Sequence, residues 1–97
     1  MKTTQEYAKE TADYIRTHGW TQHRLKDGKT GNVCIRGAME EVCWVEVKGL
    51  GKMTHGLVGL VEAFKRRTNS YPMTFNDTKE RTVEEVLSVL DDIAKEK

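Results

Sequence analysis

The chain is poor in the features that simplify a functional assignment: one proline, two cysteines, seven aromatic residues, and no surplus of either charge, with sixteen basic residues against fifteen acidic ones. Near-neutral charge excludes a bulk field of the kind that draws a protein to nucleic acid or to an anionic membrane. No apolar run approaches the roughly 18 residues that a membrane-spanning helix requires. The opening Lys2-Thr3-Thr4-Gln5-Glu6 contains no apolar signal-peptide core, so the expected location is the cytoplasm. Cys34 and Cys43 stand nine residues apart, on opposite faces of any one helix that carried both, which rules out an intrahelical disulfide. In a reducing compartment they read as core residues.

The 97 residues suit a single domain spanning 1–97, with a core small enough that each apolar face must be used. Thr3-Thr4-Gln5-Glu6 offers a capping box, and apolar spacing then runs to a stop at Gly19, predicting a helix over about 4–18. Its inward set is Tyr7, Ala8, Thr11, Tyr14 and Ile15. From Trp20 to Asn32 the period vanishes, which predicts a long loop. Asn32 is placed to cap a second helix over about 33–45, with Cys34, Ile35, Ala38, Met39 and Val42 inward and Val45 a further candidate. Residues 43–48 alternate like a strand, but a lone strand has no partner, so the helix is favoured up to a break at Gly49-Leu50-Gly51.

Thr54 suggests a cap for a third helix over about 54–67, whose stripe is Leu57, Val58, Leu60, Val61 and Phe64. Asn69-Ser70-Tyr71-Pro72 breaks it, and Thr82-Val83-Glu84-Glu85 opens a last helix over about 82–95. The expected fold is therefore all-α: a compact bundle of about four short helices with a long loop between the first two.

Few residues offer chemistry. Gly28-Lys29-Thr30 has the ending of a phosphate loop but has His23 where that motif needs glycine, and no strand precedes it. No cysteine or histidine pair has metal-ligand spacing, so neither metal nor cofactor is expected. Cys34, His55 and Asn76 follow the cysteine, histidine, asparagine order of papain-like proteases, a less favoured cysteine-dependent hydrolase reading without any protease signature. Lys65-Arg66-Arg67 are candidate phosphate contacts, and the same charges also suit the negative end of a helix. Phe75-Asn76-Asp77 reads first as a structural plug and backbone anchor ahead of the last helix. Asn76 and Asp77, with Trp20 and Gln22, form the candidate interaction surface.

Three motifs, Gly19-Trp20-Thr21-Gln22, Cys34-Ile35-Arg36-Gly37-Ala38, and Phe75-Asn76-Asp77 leading into Thr82-Val83-Glu84-Glu85-Val86-Leu87, together resemble a small domain-of-unknown-function family of actinobacteria and their phages. In that family a tryptophan often stands at the place of Phe75. The resemblance implies a small helical protein with no assigned activity, cofactor or catalytic residue. The expectation that follows is a non-enzymatic protein that binds a host or partner protein, the alternative being a nucleic-acid-binding module using Lys65-Arg66-Arg67; no membrane partner is expected.

Overall fold

A computed structural model describes residues 2–49 and 51–96. The described chain forms five helices and one two-stranded antiparallel hairpin: α1 Thr4–His18, α2 Ile35–Cys43, β1 Trp44–Val47, β2 Gly51–Thr54, α3 Leu57–Thr68, α4 Pro72–Asp77 and α5 Val83–Ala94. The fold is mostly helical but not purely all-α, and it has one more helix than the sequence suggests.

The two capping boxes form as their residue types dictate. Thr3 accepts the amide of Glu6 at 3.1 Å while Glu6 accepts the amide of Thr3 at 2.9 Å, and Thr82 and Glu85 repeat the exchange at the start of α5. In both cases the backbone amide of the cap holds the glutamate below the ordinary carboxylate range. Helix α1 lies at the centre, packing against α5 and α2, while α3 closes over these three and α4 sits against α2 and α3. The core they enclose is led by Ile15, Val33, Ile35, Met39, Leu60, Phe64, Val86, Leu90 and Ile93, all fully buried. Thr11 is buried too, its hydroxyl satisfied by the Tyr7 carbonyl at 2.8 Å.

Five local expectations are corrected. Helix α2 stops at Cys43 because residues 44–47 do have a strand partner: Trp44 pairs with Thr54, Val45 with Met53, Glu46 with Lys52 and Val47 with Gly51. Leu50, within the expected break, lies outside the described residues. The cap of α2 is Cys34, not Asn32, and its Sγ accepts the Gly37 amide at 3.3 Å. Thr54 belongs to β2, so α3 starts later, after Gly56. Val58 is 77% exposed, because a stripe of five apolar residues in eight is wider than one helix face, and Ala63 takes an inward place instead. Finally, Pro72 starts the short helix α4, the position where its missing amide costs nothing, and carries Phe75, Asn76 and Asp77 on that helix.

Candidate functional site

The 19–34 loop is held to α2 and α4 by a polar clasp. Its backbone folds against itself through Thr21 N–H to Val33 O at 3.0 Å and Val33 N–H to Gly19 O at 2.9 Å. It then crosses the start of α2, where the Leu25 carbonyl accepts the Cys34 amide at 3.1 Å. That crossing explains the glycine of the Cys34-to-Ala38 motif: a Cβ on Gly37 would collide with the Leu25 carbonyl oxygen, a backbone atom that cannot swing aside.

Asn76 is the hub of the clasp and is fully buried. Its Oδ1 accepts from the Trp20 indole at 2.6 Å and from the Ile35 amide at 3.0 Å. Its Nδ2 donates to the Thr21 carbonyl at 3.0 Å and to Asp77 Oδ1 at 2.9 Å. An amide side chain has two donor hydrogens and two acceptor lone pairs, so every one of them is used. The neighbours add to the lattice: Gln22 donates to the carbonyls of Asn76 at 2.9 Å and Thr78 at 3.2 Å, and the His23 amide donates to Asp77 at 2.8 Å. Burial works to raise the Asp77 carboxyl, but the His23 amide, the Asn76 amide and the His23 ring outweigh it and hold the group below the ordinary aspartate range.

The structure thus brings Trp20, Gln22, Asn76 and Asp77 together, and it turns their polar atoms toward one another. The Ile35 amide, one of the orphan donors of α2, is capped from a different helix by Asn76. Phe75 completes the α4 contribution by packing edge-on to Phe64 at 5.3 Å, with the Arg81 guanidinium 3.6 Å above its ring.

The basic run is spread over separate neighbours. Lys65 lies 4.3 Å from the Tyr71 ring centre, Arg67 pairs with Glu96 at 2.6 Å, and Arg66 is exposed. The cysteine, histidine and asparagine of the hydrolase reading are not assembled as a thiol–imidazole pair: Cys34 engages Gly37, while the His55 ring engages the Tyr7 hydroxyl at 2.7 Å. Burial raises the Cys34 thiol, against the pull of the Gly37 and Arg36 amides, and pushes Cys43 up to about 11 with Glu10 adding to the effect. A thiol is a poor nucleophile until it ionises, so both environments disfavour that chemistry. Among the described residues no group of histidines, cysteines and carboxylates is arranged to hold a metal ion, and Gly28-Lys29-Thr30 forms an exposed turn around Asp27, which accepts the Lys29 amide at 2.8 Å. Among the described residues no helix is long and apolar enough to cross a membrane.

The feature missed in the sequence is the hairpin. Trp44 and Met53 are 44% and 47% exposed, and the register puts them on opposite faces of a two-stranded ribbon that makes few contacts with the helices. The period-two alternation of residues 44–47 was the signal; the short glycine-bounded second strand concealed the partner. The extent of the match between this chain and known sequences decides its family. The chain belongs to a family of unknown function, DUF6197, whose model matches residues 1–96. No curated protein and no solved structure matches it. Membership of that family assigns no activity to any residue.

Proposed function

We infer that this protein is a non-catalytic binding module whose partner is another protein, contacted through the hairpin Trp44–Val47 and Gly51–Thr54. The observation that carries this reading is the pair Trp44 and Met53, a tryptophan and a methionine held out on a ribbon whose outer edges meet no further strand among the described residues. Tryptophan and methionine are enriched at protein interfaces, and an open strand edge offers backbone groups to a partner. The clasp supports the reading in a different way: with the side chain of Asn76 fully bonded inside, it acts as the frame that fixes the loop and α2, and so the hairpin that leaves α2 without a linker.

The resemblance to proteins of actinobacteria and their phages makes a host protein the favoured class of partner for a phage-encoded chain of this kind, and a cytoplasmic setting the favoured location. Phosphate binding at Lys65-Arg66-Arg67 is less favoured, because Arg67 is compensated by Glu96 and Lys65 rests on Tyr71. A hydrolase reading is less favoured again, for lack of a thiol–imidazole contact.

The test is capture from host lysate by the wild-type protein, by Trp44→Ala/Met53→Ala and by Gln22→Ala, each checked for retained helicity by circular dichroism. Specific proteins retained by the wild type and by Gln22→Ala, and lost by the hairpin variant, support the hairpin as the contact. Capture lost only with Gln22→Ala moves the contact to the clasp, and equal capture by all three overturns the hairpin as the contact. Steep loss of DNA or RNA binding between two salt concentrations, with no protein retained, replaces the protein-binding reading with the phosphate one.

A further inference from the structure

The hairpin has no linker on its first side and a very short one on its second. Strand β1 follows directly on Cys43, and β2 leads through His55 and Gly56 into α3. The ribbon meets the helical body chiefly at its two ends, so its orientation depends on how those ends are held. At that base the His55 amide donates to the Cys43 carbonyl at 2.7 Å, continuing the ladder down to the helical body. The His55 ring is held by Tyr7, a core residue of α1 only 3% exposed, whose hydroxyl lies 2.7 Å from Nδ1. The two rings are 5.6 Å apart and tilted at 48°.

Gly56 completes the arrangement. Its φ of 76° lies in the left-handed region, and a Cβ there would overlap the Tyr7 ring, so the backbone of the hairpin exit is laid directly on that ring. One aromatic residue of the central helix therefore meets the exit of the hairpin twice, by a hydrogen bond to His55 and by contact with Gly56.

We propose that Tyr7 and His55 form a latch that fixes the hairpin to the helical body, so that the ribbon projects in one orientation and opens locally when the latch is removed. The hydrogen bond links an element buried in the core to one outside it, and its loss is felt on the outer side, where few other contacts resist. The core side keeps its ring packing in a phenylalanine variant, since only the hydroxyl is removed. The latch is a property of the isolated chain and needs no partner, so it stands or falls independently of the binding reading above.

The experiment is residue-resolved amide hydrogen exchange on the full chain for wild type, Tyr7→Phe and His55→Phe. In both variants the amides of Val45 and Met53 should exchange roughly three- to tenfold faster than in the wild type, the change equivalent to one net hydrogen bond. Amides of α1 and α5, such as Ala12 and Leu90, should keep their wild-type rates. Unchanged exchange in the hairpin overturns the latch. A uniform acceleration of hairpin and helices in both variants also overturns it, because the bond would then support global stability and not the attachment of one element.

Discussion

The clasp and the hairpin are both built from short segments outside the main helices, yet they are stabilised in opposite ways. In the clasp, a fully buried asparagine saturates its side chain with four hydrogen bonds to a loop, a helix start and a neighbouring carboxylate. In the hairpin, a tryptophan and a methionine are left nearly half exposed on a ribbon tied to the body at its base. A buried polar network fixes geometry because any displacement strands a donor or acceptor away from water. An exposed apolar ribbon fixes little in the isolated chain and leaves area for a partner to cover.

Breaking the hub should have the largest effect. Asn76→Ala removes the acceptor oxygen and both donor hydrogens at once, stranding the Ile35 amide and the Thr21 carbonyl, and should lower stability by roughly 2 to 6 kcal/mol at about 1 to 3 kcal/mol for each unsatisfied buried group. Denaturant unfolding measures it. A loss below about 1 kcal/mol would mean that water replaces the asparagine readily and that the network does not define the loop.

Gly37→Ala tests the same region through shape instead of polarity. The new methyl meets the Leu25 carbonyl, and the expected cost is roughly 1 to 3 kcal/mol, the usual range for overpacking. Because alanine is the better helix former, a stabilised variant would show that the loop crossing yields easily.

Acid should weaken the clasp in a defined sense. The Asp77 carboxyl is held below its ordinary value of 3.8, so it contributes stability that is complete above that pH and is lost as the pH falls through the folded value. Wild type compared with Asp77→Asn should therefore show a gap in melting temperature that changes as the pH falls below about 3.8. The smallest effect belongs to the hairpin: Trp44→Ala should change stability by no more than about 0.5 kcal/mol, as expected of an exposed side chain, while removing most of its partner capture.

Much of the helical frame was legible in the sequence, because capping boxes and apolar spacing are local signals. Thr3 with Glu6 and Thr82 with Glu85 announce α1 and α5, and Tyr7, Ile15, Val86 and Leu90 show which faces turn inward. The strand at 44–47 carried its own alternation, but pairing is a non-local fact, and Gly51-Lys52-Met53-Thr54 has little strand character of its own. Helix α4 was hidden for a similar reason: its six residues are too few to show a period, and its place is set by the contacts of Phe75 and Asn76. The motif residues Trp20, Gln22, Asn76 and Asp77 could be grouped from sequence as polar and distinctive. That their hydrogen bonds run inward could not, since nothing in the composition distinguishes an amide that faces a partner from one that faces a loop 55 residues away.

The contrast between the two regions is tested most directly by native-state amide exchange in the wild-type protein. The amides of His23, Val33, Cys34 and Ile35, all bonded within the clasp, should exchange at or near the rate set by global unfolding. Those of Val45 and Met53 should exchange faster, through local opening of the hairpin. Clasp amides that exchange as fast as the hairpin's would contradict the view that one region holds the fold while the other is left free to bind.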